Sequence, residues 1–230
     1  MACAVGTAVV TLEPLWFNLA EQDNGKNILC DIDPTCRRLN DNEIKLAREY
    51  FGDKINYRKV RVFHRPPAVF AAIQYVTGKN RATASQLYSN LHLDSPDMRV
   101  KDLSNTDDYK TGVFLHEMTH VWQDQNLSFY ERQYKTYDRW KTIIQDDFNV
   151  HAAYKYDLTD GKAFKDYGVE QAEIVQTAYR LRSNMDFYKR AKLIDYVCKN
   201  RLQLHEEKIR EALPLKPTKA CEPFKPKLSS

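Results

Sequence analysis

The chain has 230 residues, which is enough to bury one substantial hydrophobic core. Hydrophobic residues make up 43% of it and charged residues 29%, which is typical of a globular protein and not of a disordered one. The net charge is +4, with basic and acidic residues mixed nearly throughout, so a nucleic-acid-binding role is not expected. No run of apolar residues approaches the roughly 18 needed to cross a bilayer, so no membrane span is expected.

The start of the chain does not resemble a secretion signal. Residues 1–17 are apolar in patches, but they lack a basic beginning, and Glu13 and Pro14 interrupt them. We therefore expect no Sec signal. The whole lead-in, residues 1–37, is expected to be irregular. Within it, Cys30 and Cys36 could form a disulfide across a turn at Asp33, and two free thiols are the alternative.

The periodicity of apolar residues predicts strands in the first half of the chain and helices in the second. A helix is expected from Asp41 or Asn42 to Gly52. Alternation of apolar and polar residues predicts strands at 57–63 and 86–93. From residue 111 onward the pattern is helical, at 111–125, 128–147, 167–183 and 188–212, with a short extended piece at 154–158.

The order of these elements predicts an α+β fold of the zincin type. It would have a small strand-bearing N-terminal part and a mainly helical C-terminal part with the motif helix at the cleft. Residues 1–213 are expected to form a single domain. The remaining segment, 214–230, has four prolines among lysines and serines, so it is expected to be a flexible tail.

His116, Glu117 and His120 form an HExxH motif, HEMTH, inside an apolar stretch. Residues four apart share a face of an α-helix, so the two imidazoles can converge on one Zn²⁺. Glu117 lies at the flank of that face, where it can take a proton from a water activated by the metal. The pattern predicts a buried active-site helix, and a helix with two unrelated histidines is the alternative.

A catalytic zinc site needs a third protein ligand. The metzincin class is excluded, because its glycine and its third histidine would fall at Gln123 and Asn126. Glu170 is the leading candidate, since it opens a helix that an out-and-back path can return to the motif. Glu173, three residues later, could then orient a ligand imidazole. His151 is the competing third ligand.

The segment HEMTHVWQ, from His116 to Gln123, resembles the HELTHVWQ motif of bacterial zinc metallopeptidases. These peptidases are encoded with, or fused to, Rhs and VgrG elements of type VI secretion systems. Further likeness spans residues 38–180, in RL at 38–39, EIKLA at 43–47, FGDKINY at 51–57, VRV at 60–62, YDL at 156–158 and YGVEQ at 167–171.

This resemblance implies that the two motif histidines and Glu170 bind zinc, with Glu117 as the general base. In one respect the chain departs from the family, which usually reads EQQAE where this chain reads EQAE from Glu170. Aligned from the right, the ligand position would hold Val169, and Glu173 would take the second acidic place. Glu173 therefore remains an alternative third ligand.

The leading hypothesis is a zinc peptidase that a type VI secretion system delivers as an antibacterial effector. It would be made in a bacterial cytoplasm without a Sec signal and act in the periplasm or cytoplasm of a target cell. Its expected partners are a protein or peptide substrate, a VgrG- or Rhs-type secretion component and an immunity protein. An extended substrate is expected to pair with the strand at 86–93. The alternative is a non-catalytic, metal-stabilised structural or adaptor protein of the secretion machinery.

Overall fold

A computed structural model of the chain describes residues 33–65, 85–87, 89–93, 95–128, 155–166 and 170–224, together with the single residues 30, 131 and 168. His151 and nearly all of the predicted helix at 128–147 lie outside these residues. Among the described residues, strands occupy the first half of the chain and helices dominate the second.

The elements follow one another along the chain as short strands and then helices. The strands are β1 (Cys36–Arg38), β2 (Arg61–Phe63), β3 (Ser85–Leu87) and β4 (Asn90–His92). The α-helices are α1 (Asp41–Phe51), α2 (Asp108–Asn126), α3 (Glu170–Ser183), α4 (Met185–Arg190), α5 (Ile194–Val197) and α6 (Gln203–Arg210). A π-helical turn, Cys198–Leu202, joins α5 to α6. The predicted helix at 188–212 is therefore interrupted, and Lys192 with a φ of 59° marks the turn between α4 and α5.

The four strands form one sheet in the order β1-β2-β4-β3. β1 and β2 are antiparallel, β2 and β4 are parallel, and β3 and β4 form an antiparallel pair. The single strand predicted at 86–93 is wrong, because the chain reverses there at Ser89, which has a φ of 61°. Apolar residues alternate across the turn as they would along one strand, so their pattern does not reveal the reversal. Of the strand predicted at 57–63, Tyr57–Lys59 is a 3₁₀ turn and only the end joins the sheet.

The buried side chain of Glu43 connects the first strand, the first helix and the loop before α2. Its carboxylate accepts hydrogen bonds from both terminal nitrogens of Arg37 at 2.8 Å, and from the backbone N–H groups of Asn40 and Leu103 at 2.9 Å. The Asn40 side chain in turn accepts from the N–H of Glu43, which completes a capping box. The predicted helix is confirmed at Asp41–Phe51, and it ends at Gly52 as expected.

The main core lies where α2 packs along α3 and against the sheet. The two helices approach closely at Gly112, because a Cβ atom there would lie 3.3 Å from Cγ of Gln176. Helices were predicted at 111–125 and 167–183, and both are confirmed, with observed bounds of 108–126 and 170–183. A second, smaller cluster forms around α4 and α5 from Leu181, Met185, Val197, Cys198, Leu202 and Cys221.

The segment from residue 214 to residue 224 packs on the domain, which corrects the predicted flexible tail. Pro214 lies against Gly52, since a Cβ on that glycine would come 2.7 Å from Cγ of the proline. Leu215 and Cys221 are buried, and Glu206 accepts a hydrogen bond from the N–H of Thr218 at 3.1 Å. Individual contacts hold this segment in place. Because such contacts produce no periodic pattern of apolar residues, the sequence did not indicate that the segment packs on the domain. Residues 225–230 lie outside the described residues.

Two disulfides cross-link the described residues, Cys30–Cys36 and Cys198–Cys221. The first is the pairing that the turn at Asp33 allowed, and the alternative of two thiols does not apply. The second, with a sequence separation of 23, attaches the C-terminal segment to the π-helical turn. Sequence spacing did not predict it, because the two cysteines meet only after the helices have folded back.

Deleting residues 214–230 is expected to lower the melting temperature of the domain. The deletion removes a buried leucine and a disulfide, which together would reduce the free energy of unfolding by about 5 kcal/mol. Thermal unfolding followed by circular dichroism measures the change. The variant Cys221→Ser in the full chain measures how much of the loss in stability comes from the disulfide. An unchanged melting temperature after the deletion would show that the segment adds nothing to stability.

Candidate functional site

Helix α2 carries the HExxH motif through the middle of the core. It begins after Asp107, whose side chain accepts a hydrogen bond from the backbone N–H of Lys110 at 2.9 Å and so caps the first turn. All residues from 111 to 121 are buried. A helix that is buried on every side crosses a core and does not lie on its surface. The predicted buried helix is confirmed, and its catalytic role remains a prediction.

The two motif histidines lie next to each other on this helix, as their spacing predicted. Their ring centroids are 5.0 Å apart, and the ring planes meet at 78°. His116 is 8% exposed and His120 is 3% exposed, with Glu117 between them at 7%. Zinc binds histidine nitrogens at about 2.0–2.1 Å, so two rings at this separation can turn their nitrogens to one ion.

Gln123 holds the ring of His120 through a chain of buried amides. Its Oε1 lies 2.8 Å from Nδ1 of His120. Its Nε2 donates to the backbone carbonyl of Gly168 at 2.8 Å and to Oε1 of Gln171 at 2.6 Å. Gln171 in turn donates from Nε2 to the carbonyl of Phe164. The chain of hydrogen bonds therefore runs from the motif helix to the beginning of α3.

These contacts determine which nitrogen of His120 carries the proton. A backbone carbonyl can only accept, so the Gln123 atom that faces Gly168 must be the amide nitrogen. Oε1 of Gln123 is then the atom that faces His120, and it requires a donor. Nδ1 of His120 is accordingly the N–H, and Nε2 carries the lone pair that a metal ion would bind.

Glu173 on α3 lies beside the other histidine. Its Oε2 is 3.7 Å from Nδ1 of His116, which is within ion-pair distance and longer than a hydrogen bond. A carboxylate near the second ring nitrogen is the usual partner that orients a metal-binding histidine. This placement matches the orienting role that the spacing of the two glutamates allowed for Glu173.

Glu170 lies at the first residue of α3, near the end of the amide chain. A Cβ atom on Gly168 would be 3.2 Å from Oε2 of Glu170, so this carboxylate lies over the glycine whose carbonyl binds Gln123. In the part of the chain that the structure describes, no group of three or more His, Cys, Asp and Glu side chains is arranged to hold an ion. The ligand role of Glu170 therefore stays a prediction, and His151 lies outside the described residues.

The strand that lies next to α2 is β3, the first strand of the antiparallel β3–β4 pair. β3 lies at one edge of the sheet and contacts α2, whereas β4 lies between β2 and β3. The predicted substrate-binding strand at 86–93 thus divides into an edge part and an interior part. Only the edge part, Ser85–Leu87, has a side on which no described strand pairs.

Two glutamines of this site were not predicted from the sequence. Gln123 ends the HEMTHVWQ segment and lies three residues after His120, a spacing that places it on the same face of the helix. That spacing was the available signal. Gln171 gave no comparable signal, because its contact with Gln123 joins residues 48 positions apart.

The fold is shared with a known effector domain. A solved structure, the effector domain of Pseudomonas aeruginosa VgrG2b, aligns over 92% of this chain and 96% of that chain, with a TM-score of 0.51 and 24% sequence identity. No known protein-family model matches the chain.

The sequence itself is similar to the type VI secretion system spike protein VgrG2b of Pseudomonas aeruginosa. The two are 32% identical over 148 residues, which is 64% of this chain and 13% of the spike protein. The chain is thus related to a VgrG protein of type VI secretion, and it spans a small part of that protein's length. The predicted relation to VgrG elements is confirmed at this level. Among the described residues, no helix is both long enough and apolar enough to span a membrane.

Replacing Gln123 with alanine is expected to weaken zinc binding by about 10–100-fold, because His120 would lose the acceptor that orients it. Titration of the purified protein with zinc against a competing chelator measures the affinity. Gln125→Ala is a matched control on the same helix, since this amide donates instead to Ser89 and to the carbonyl of Asn56. If both variants lost the same amount of zinc affinity, the cause would be a general disturbance of the helix and not the orientation of His120.

Proposed function

We propose that the chain is a zinc-dependent peptidase domain that acts as a type VI secretion effector. The observation that carries the proposal is the pair of buried histidines on α2, whose ring centroids are 5.0 Å apart, with Nδ1 of His120 lying 2.8 Å from Oε1 of Gln123. The relation to VgrG2b supports the effector part of the proposal.

The proposed donors suit zinc in kind. Two imidazoles on successive turns supply nitrogen ligands, and the acids of α3 supply a carboxylate. Glu170 is the proposed third ligand, and Glu173 is proposed to orient His116 from 3.7 Å. When bound, zinc would act as a Lewis acid that polarises a peptide carbonyl and lowers the pKa of water.

Glu117 is the proposed general base. It directly follows His116 and lies three residues before His120, so its side chain leaves the helix about 100° around the axis from that of His116 and about 60° from that of His120. At 7% exposure it lies in a nearly closed environment, where a carboxylate transfers protons with little competition from bulk water. Its proposed work is to accept a proton from water and to deliver it to the leaving amine.

We propose that the substrate binds as an extended peptide along β3. Among the described strands this one is the edge next to α2, so a peptide paired with it would run past the motif helix. Backbone hydrogen bonds of this kind hold a peptide largely independently of its side chains. The proposal concerns Ser85–Leu87 alone, since β4 already pairs on both sides.

The two disulfides favour an oxidising place of action. Disulfides persist in the bacterial periplasm, whereas cytosolic thiols are kept reduced. Of the two predicted target compartments, we therefore propose the periplasm of the target cell. A VgrG-type component for delivery and an immunity protein in the producing cell are the proposed partners.

The purified protein is expected to bind one equivalent of zinc. His116→Ala should abolish binding, because only one imidazole would remain on the helix. Glu170→Gln should weaken binding more than Glu173→Gln, since the first removes a ligand and the second an orienting group. Metal analysis after dialysis measures this. If Glu173→Gln weakened binding more than Glu170→Gln, Glu173 would be the ligand. Full zinc binding in both glutamine variants would indicate His151 as the third ligand. Undiminished zinc binding in His116→Ala would contradict the metal proposal.

Glu117→Ala is expected to keep zinc and fold while losing activity by about 10²–10⁴-fold, because only proton transfer is removed. Hydrolysis of an unselective protein substrate, and growth of bacteria that express the protein in the periplasm, measure the loss. Glu207→Ala, an exposed glutamate on α6, is the matched control. If the Glu117 variant were as active or as toxic as the unaltered protein, the role of zinc would be structural. The adaptor alternative would then replace the peptidase proposal.

A further inference from the structure

One region of the surface exposes large apolar side chains. Three of the exposed large hydrophobic residues in the described part of the chain fall within ten positions, Phe187 at 55%, Leu193 at 46% and Tyr196 at 60%. They belong to α4, the turn after it and α5. We refer to residues 185–201 as the α4–α5 surface.

Buried residues of the α4–α5 surface pack against the rest of the domain. Met185, Val197 and Cys198 are buried in the smaller core cluster, and Cys198 is bonded to Cys221. The turn between the helices is closed by a hydrogen bond from the N–H of Leu193 to the carbonyl of Tyr188 at 2.9 Å. The segment therefore has buried apolar residues that pack on the domain and exposed apolar residues that do not.

The same surface is basic. It contains five basic and two acidic residues, a net charge of +3 in a chain whose total is +4. Exposed ion pairs occupy Lys189 with Asp186 and Lys199 with Asp195. The other three basic residues, Arg190, Lys192 and Arg201, are exposed and form no ion pair with any described residue.

We propose that the α4–α5 surface docks on an anionic lipid bilayer. Phenylalanine, tyrosine and leucine between lysines and arginines are the side chains that enter the region of lipid headgroups. A standard protein interface needs roughly 20–30 residues on each side, and this surface is smaller. A bilayer requires no shape complementarity, so three exposed apolar side chains with an excess of basic charge suit it better than they suit a protein partner.

Docking would fix the motif helix relative to the bilayer. Asn184, directly before α4, donates a hydrogen bond to Asp108 in the first turn of α2 at 2.8 Å. His116 lies eight residues further along this helix, which is roughly 12 Å at 1.5 Å per residue. A protein docked in this way would present its motif to material close to the membrane surface.

Co-sedimentation of the full chain with vesicles tests the proposal. We expect binding to vesicles of phosphatidylcholine with an equal share of phosphatidylglycerol, and little binding to vesicles of phosphatidylcholine alone. Binding should fall as salt rises, because the attraction is partly electrostatic. Arg190→Glu with Lys192→Glu, and separately Phe187→Ser with Tyr196→Ser, should each reduce binding by more than about tenfold.

Arg58→Glu with Lys59→Glu is the matched control, since both residues are exposed on the turn before β2. Circular dichroism and thermal unfolding establish that every variant is folded. The proposal is overturned if the unaltered chain does not bind mixed vesicles, if it binds both kinds equally, or if the control loses as much binding as the α4–α5 variants. Binding to an acidic protein without binding to vesicles would also overturn it.

Discussion

The site depends on the burial of a helix that carries polar and ionisable groups. Every residue of α2 from 111 to 121 is buried, including both histidines and a glutamate. A buried polar group without a hydrogen-bond partner destabilises a fold by about 1–3 kcal/mol, so such a helix must bring its own partners or receive them. For His120 the partner is Gln123 of the same helix, whose own amide donates to the carbonyl of Gly168 and to Oε1 of Gln171 at the beginning of α3.

The same requirement explains why α2 and α3 pack so closely. Gly112 allows the helices to approach until side chains of α3 lie directly over its Cα. Near the other end of α3, this approach brings Glu173 beside His116. The packing of the two helices therefore also sets the position of Glu173 beside His116, and a larger residue at position 112 would move this acid as well as the helix.

Structural features that are determined by residues close together in the sequence could be predicted. The apolar face of α1 and the glycine at its end were sufficient to place this helix, although its cap is Asn40 and not Asp41 or Asn42. The motif with its apolar surroundings was sufficient to place α2. Features that join distant residues could not. The reversal at Ser89 lies inside an unbroken alternation, and the packing of Leu215 and Cys221 appears only when α6 and the π-helical turn are in place. For the site, the placement of the two histidines side by side on a buried helix was predicted correctly, whereas the chain of amides that contacts His120 was not predicted.

The motif helix is restrained from both of its ends. Near its C-terminus, Gln125 binds Asn56 and Ser89, and Asn126 donates to the carbonyl of Lys54 at 3.0 Å, which fixes this end to the sheet. At its N-terminus, Asp108 binds Asn184, which leads into the α4–α5 surface. The disulfide at Cys198 in turn holds that surface to the C-terminal segment. Because hydrogen bonds hold both ends of this helix, the position of the motif depends on the fold around it and not on the motif alone.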